Sequence, residues 1–307
     1  MLSKSILDKV AEEYQLGKII LSKLIKGGNI NYNFSVKTDK GDFIVRQLGY
    51  KLDGWFAKHK PFEFEVLEFL SQQDFPYRIP RMMRTKKGEY ILKIEEQLFE
   101  VYPKIKGRCV LKPNRFQVKG AAKALATYHK VIRNFPGQQK ELDDFGHAKW
   151  RYSQLRAVKT KTPTDKYMLK YIDLFENTLI DLLKFDRNKN VTVIHGDFNR
   201  ANLLFIKNKL VGILDFENVE WAPMVQDFAS GCTDGVMNSF VKEYKKYNSI
   251  SSQEEKIIIP LKLLKICDIF AWVYLDDHKK KDRRIPMMRR MVKRLKENLS
   301  LMNKLLH

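Results

Sequence analysis

The residues best suited to chemistry lie between Val191 and Ala229, in VTVIHGDFNRANLLFIKNKLVGILDFENVEWAPMVQDFA. A buried, strand-like VTVI delivers His195, Gly196 and Asp197 into a loop, after which LLFI and LVGIL flank a short turn at Asn208 and Lys209. If that turn holds two residues, antiparallel pairing sets Leu203 opposite Leu214 and Asn202 opposite Asp215, so two oxygen-bearing side chains meet at one end of a hairpin. Such a pair suits Mg2+, which takes hard oxygen donors and shares its remaining positions with water and phosphate oxygens. Asp197, in the loop just before the hairpin, is a candidate base for a hydroxyl nucleophile.

The elements that must position these residues divide into a strand-rich first part and a helical second part. Ile30, Tyr32, Phe34 and Val36 alternate with Asn31, Asn33, Ser35 and Lys37, the period of a half-buried strand, and a turn over Asp39 to Asp42 leads into DFIVRQL. PFEFEVLEFLSQQ opens with Pro61, suited to a helix's first turn, and carries Phe62, Val66, Phe69 and Leu70 at helical spacing. Turn candidates at Lys87-Gly88 and Glu95-Glu96 predict two or three further antiparallel strands before Pro103. Beyond Lys104 helices are expected over 115–135 and 165–184, and Ile6, Leu7, Val10 and Tyr14 mark an amphipathic helix at the start. The expected fold class is α+β, with a small antiparallel-sheet lobe carrying one helix over 1–102 and a larger, mainly helical lobe over 103–307.

His195-Gly196-Asp197, Asn202, the hydrophobic hairpin, Asp215-Phe216-Glu217 and the downstream Asp227-Phe228-Ala229 together resemble the core of the aminoglycoside phosphotransferase and choline kinase superfamily, relatives of the protein kinases. The resemblance implies a protein-kinase-like bilobal fold and an ATP-dependent phosphotransferase using Mg2+. By the family's pattern Asp197 is the catalytic base, His195 an orienting residue, Asn202 and Asp215 the metal ligands, and Asp227 a carboxylate bracing the catalytic loop. KGGNINYNFSVKTDKGDFIVRQL is similar to the family's phosphate loop and the strand that follows it, so Gly27, Gly28, Asn29 and Asn31 are expected near phosphate. Arg46 stands where a lysine is usual. Its charge shares a face with Ile44 and Leu48 and needs an anionic partner, for which Glu63 is the first choice by family spacing and Glu65 the alternative. LFEVYPKIKG resembles the hinge, with backbone groups from Glu100 to Tyr102 placed to read adenine.

Eleven residues separate Asp215 from Asp227 and no A-P-E follows, which leaves little room for a peptide-binding platform and favours small-molecule hydroxyl acceptors of homoserine, choline, sugar or antibiotic type. Fifty-seven Lys and Arg against thirty-six Asp and Glu give +21, a field that disfavours polycationic acceptors. From His278 to His307 eleven Lys and Arg meet two acids, while Met288, Met291, Val292, Leu295, Leu299 and Met302 form a helical apolar stripe. A packed terminal helix with a solvated basic face is the favoured reading over a surface for nucleic acid or anionic lipid. The alternative to an enzyme is a kinase-like binding protein that uses this basic surface. The start lacks the apolar core of a secretion signal, and the stretch Ile257 to Leu275 is broken by Pro260, Lys262, Lys265 and Asp268, so it reads as a core helix and not a membrane span. Cys109, Cys232 and Cys267 form no CxxC pair, which with the missing signal fits a reducing cytoplasm.

Overall fold

A computed structural model describes residues 2–25, 31–49, 54–137, 146–182, 190–231, 236–275 and 284–306. Two compact units divide the chain: one of Met1–Ala124 with Arg200–Val219, the other of Leu125–Asn199 with Glu220–His307.

The first unit opens with helix α1 (Lys4–Glu13), capped by the Ser3 hydroxyl accepting from the Ile6 N–H at 3.2 Å. Strands β1 (Ile19–Ile25), β2 (Tyr32–Thr38) and β3 (Asp42–Gln47) follow, then helix α2 (Gly54–Gln72), β4 (Leu92–Ile94) and β5 (Gln97–Pro103). Among the described residues they form an antiparallel sheet of order β1-β2-β3-β5-β4. The period-two pattern sorts its side chains. Phe34, Val36, Phe43, Val45, Phe99 and Val101 pack against Leu7, Val10 and Tyr14 of the first helix region. Asn33, Arg46, Glu100 and Tyr102, at the alternate positions, stand on the other face.

Pro61 lies inside α2, not at its start, because the helix begins seven residues earlier at Gly54. Two strands, β4 and β5, lie in the region of the two expected turns, and the sharper turn is at Glu95, whose φ of 55° is left-handed. The unit also holds β6 (Arg108–Cys109), the first part of helix α3 (Arg115–Ile132), and the hairpin β8 (Leu203–Ile206) and β9 (Lys209–Ile213).

That hairpin corrects the expected register. Its turn is Lys207-Asn208, with Ile206 opposite Lys209, and a bulge between Leu204 and Phe205 brings Leu203 opposite Ile213 instead of Leu214. The bulge absorbs part of the one-step shift of the turn. Leu214 N–H then donates to the Asn202 carbonyl at 2.8 Å, so Asp215 follows one residue beyond the position opposite Asn202. Gly212 suits this close approach, since a Cβ would lie 3.0 Å from Ile105 Cγ2 and 3.2 Å from the Arg78 carbonyl, tighter than most Cβ contacts.

In the second unit β7 (Val191–Ile194) pairs antiparallel with β10 (Glu220–Pro223), and helices α4 (Gly146–Arg156), α5 (Pro163–Leu182), α6 (Asp227–Gly231), α7 (Met237–Tyr244), α8 (Ser252–Leu275) and α9 (Arg284–Leu306) complete the described elements. Its core packs Phe175 of α5 on Phe270 of α8, ring centroids 4.1 Å apart and nearly parallel, with Met288, Met291, Val292 and Leu295 of α9 alongside. The apolar stripe of the last helix is therefore spent on packing. No described helix is long and apolar enough to cross a membrane.

Candidate active site

In the first unit the row Asn33, Arg46, Glu100 runs straight across three neighbouring strands, because Arg46 pairs with Asn33 on one side and with Glu100 on the other. Arg46 Nε donates to Asn33 Oδ1 at 3.1 Å. Its Nη1 lies 3.3 Å from Glu100 Oε1, 3.5 Å from Asp215 Oδ1 and 3.8 Å from Glu217 Oε2. Lys60 Nζ, from α2, sits 2.8 Å from both Glu63 Oε2 and Glu100 Oε2. Asn31 closes the group: its Nδ2 donates to Glu217 Oε2 at 2.8 Å and its Oδ1 accepts from the Gly49 N–H at 3.0 Å.

Charge does not balance in this cluster. Arg46, Lys60, Glu63 and Glu100 are all buried, and four carboxylates face two cations. Burial pushes the Glu63 carboxyl up, with Lys60 offsetting part of the rise and Glu100 adding to it. Burial, then the charge of Asp215, pushes Glu217 up to about 8 against the pull of Arg46 and Lys60. Asp215 Oδ1 is buried and accepts no hydrogen bond, and the residue holds a left-handed backbone, φ 67°. An excess of buried carboxylate oxygen, with Glu63 Oε2, Glu100 Oε1 and Asp215 Oδ1 all lacking a hydrogen-bond donor, is the chemistry a divalent cation satisfies, and Asn202, buried at the end of a 3-10 turn over Arg200–Asn202, adds a neutral oxygen of the kind such an ion accepts.

In the second unit β7 leads directly into His195, Gly196 and Asp197, and Asp227 at the first turn of α6 holds this loop. Asp227 Oδ2 accepts from the His195 N–H at 2.9 Å and Oδ1 from the Gly196 N–H at 2.8 Å. His129, in the part of α3 belonging to this unit, places Nε2 2.9 Å from Asp227 Oδ2 and Nδ1 2.9 Å from the Tyr244 hydroxyl. Burial alone would raise the Asp227 carboxyl, but the hydrogen bond and charge of His129 and the His195 contacts outweigh it and hold the group below the usual carboxylate range. The His195 ring is fully buried, edge-on to Phe198, and its Nδ1 accepts from the Asp197 N–H at 3.3 Å. Asp197 itself is half-buried.

The structure brings Asn31, Arg46, Glu63, Glu100, Tyr102 and Asp215 into one unit with Asn202, and His195 with Asp197 and Asp227 into the other. Gly27, Gly28 and Asn29 lie outside the described residues. Two expectations need correction. Glu63 is not the direct partner of Arg46: Lys60 takes Glu63, and Arg46 turns to Glu100, Asp215 and Glu217, while Glu65 enters no such pair among the described residues. Nor do the backbone groups of Glu100 and Tyr102 point away from the sheet. Bonds from Leu48 N–H to the Leu98 carbonyl and from Lys104 N–H to the Asp42 carbonyl set the alternation, so both residues turn their backbone toward β3, and the Val101 carbonyl on the other side accepts from the Met83 N–H. It is the Glu100 carboxylate that enters the site. Lys60 was missed, and Glu217 was named only as part of its motif and not as a partner of Arg46 and Asn31; a helix extended upstream of Pro61 would have exposed the Lys60–Glu63 spacing of one turn.

The fold that carries these two groups is that of the kinase-like phosphotransferases. An amicoumacin kinase solved with AMP-PNP, Ca2+ and Ami superimposes with a TM-score of 0.71, at 15% identity, covering 97% of this chain and 94% of its own. A microcompartment-associated aminopropanol kinase gives 0.68, at 14% identity and 94% coverage of both chains. Residues 22–252 match the profile of the Phosphotransferase enzyme family, and the chain belongs to that family. A homoserine kinase of Pseudomonas aeruginosa is 25% identical over 238 residues, 78% of this chain and 72% of that protein. The chain is a small-molecule phosphotransferase.

Proposed function

We propose that this enzyme moves the γ-phosphoryl group of ATP to a hydroxyl of a small neutral or anionic metabolite, with Mg2+ as the metal. The observation that carries the reading is Asp215: a carboxylate oxygen without a hydrogen-bond donor, on a strained backbone, in a buried cluster whose negative charge is in excess. Asn202 and Asp215 would hold the metal, which when bound neutralises phosphate charge and orients the polyphosphate. Arg46, fixed by Asn33 and Glu100, keeps a guanidinium beside Asp215 for phosphate oxygens. Glu63 acts at one remove, through Lys60, to hold Glu100. Asn31 and the glycines Gly27 and Gly28 contribute donors to phosphate, and Tyr102 stands beside Arg46, its ring centroid 5.8 Å from the guanidinium carbon.

Asp197 orients the acceptor hydroxyl and takes its proton as the oxygen attacks phosphorus; the new O–P bond forms while the bond to the β,γ-bridging oxygen breaks, and ADP leaves with that electron pair. His195 and Asp227 hold the Asp197 loop and touch neither reactant. In this reading residues 1–102 form the nucleotide-binding lobe and residues 103–307 the catalytic and substrate lobe, working in the cytoplasm. Among the described residues Cys109 and Cys267 are free thiols.

The test is phosphate transfer read by mass spectrometry over a panel of hydroxyl metabolites and antibiotics, beside thermal stabilisation by ATP with and without Mg2+. Asp197→Ala should keep the Mg2+-dependent stabilisation and lose transfer. Turnover near wild type in that variant overturns the mechanism, and a clear preference for polycationic antibiotics overturns the acceptor class.

A further inference from the structure

Helix α8 brings Lys265, which the mechanism does not use, to the loop that presents Asp197. Lys265 is half-buried, and its Nζ donates to the Gly196 carbonyl, the residue before Asp197, at 3.2 Å. Among the described residues no carboxylate lies within ion-pair distance of it. The carboxylate one turn further on, Asp268, is already engaged by Arg151 of α4 and is not available to neutralise Lys265. Lys262, buried one turn before Lys265 on the same helix, adds a further cation to this part of the second unit.

A brace for the loop does not need that charge. The Gly196 carbonyl also receives the Ser230 hydroxyl at 3.3 Å, and the loop's N–H groups are held by Asp227. A neutral amide would serve as well, without the penalty of withdrawing an ammonium from water with only a neutral partner. Lys265 has three donors and spends one, leaving two beside the loop that presents Asp197.

We propose that Lys265 is a specificity residue that binds a carboxylate on the acceptor, so that the substrate class is a small hydroxy acid or hydroxy amino acid. The inference rests on the phosphotransferase reading above, with Asp197 as base. A monoanionic carboxylate matches a single ammonium, forms charge-assisted hydrogen bonds with its free donors, and sets the far end of the molecule relative to its hydroxyl. An acceptor bearing several ammonium groups meets repulsion from Lys265 and gains nothing from Asp268, which Arg151 holds.

The experiment compares acceptors that differ only in the carboxylate: homoserine against 3-aminopropan-1-ol, and glycerate against ethylene glycol. Wild type should favour the acid of a pair. Lys265→Met should lower the acid-to-alcohol ratio of kcat/KM about 10- to 100-fold, whereas Lys265→Arg should keep the preference. A parallel fall for acid and alcohol would show a loop brace and overturn the proposal. So would a wild type that is stabilised by ATP and Mg2+ yet shows no preference for either acid or transfers to neither. Failure of the underlying reading looks different, because ATP and Mg2+ then give no thermal stabilisation of the wild type. Melting curves of both variants confirm that they fold.

Discussion

Arg46 and Glu100 face each other across β3 and β5, and the same carboxylate that takes the guanidinium through Oε1 takes Lys60 through Oε2. One fully buried glutamate thus ties a strand and a helix to the place where phosphate chemistry is expected. The pairing is obligatory in the sense that removing either cation strands a charge with no water to receive it.

Arg46→Met leaves the four carboxylates facing Lys60 alone, and unfolding in urea should show a loss of about 3–5 kcal/mol. Arg46→Lys keeps the charge but not the fork that reaches Asn33, Glu100 and Asp215 together, and should lose about 1–2 kcal/mol with weaker stabilisation by ATP and Mg2+. Wild-type stability in both variants would show that these ion pairs do not hold the sheet.

Among the described residues His129 reaches the proposed catalytic loop through Asp227, so its effect belongs in turnover and not in nucleotide affinity. His129→Phe should drop kcat by about 100-fold, the consequence of an ångström of drift in the loop, with KM for ATP unchanged. His129→Gln, which can still donate to Asp227, should recover part of the loss. A rise in KM for ATP with kcat intact would contradict the assignment.

Glu217 supplies a pH dependence whose sign is fixed by burial. Its carboxyl titrates near 8 in the folded protein, above the ordinary carboxylate value, so between those two values the folded state retains a proton that the unfolded state releases. Stability from this group is full in mild acid and falls as pH rises toward 8, by about 5 kcal/mol at most. Glu217→Gln should remove that slope in metal-free buffer with EDTA: near wild-type stability at pH 5, greater stability than wild type at pH 8.5. Identical slopes in the two proteins would remove Glu217 as the source.

The candidate catalytic loop could be picked out in the sequence because its parts are local. Gly196, Asp197 and Asn202 lie within eight residues of His195, and Asp215-Phe216-Glu217 follows across one hairpin. Register was harder, since a bulge at Val211 and a turn one residue early are compensating backbone choices that no hydrophobic alternation records. Lys60 stayed hidden because Pro61 reads as the first turn of a helix that in fact begins at Gly54. His129 and Asp227 are 98 residues apart, and Arg46 meets Glu217 through folding alone; pairings over such separations are settled by tertiary packing.

Asp215 has a consequence for how this chain can change over generations. A non-glycine residue at φ 67° costs about 1–2 kcal/mol, so the position is one where the best residue for the fold is glycine and the best residue for phosphate chemistry is aspartate. A single base change separates their codons. If Asp215 holds the metal as proposed, a lineage that no longer needed turnover would gain backbone stability by drifting to Asp215→Gly, so the strain is borne only while the carboxylate is used.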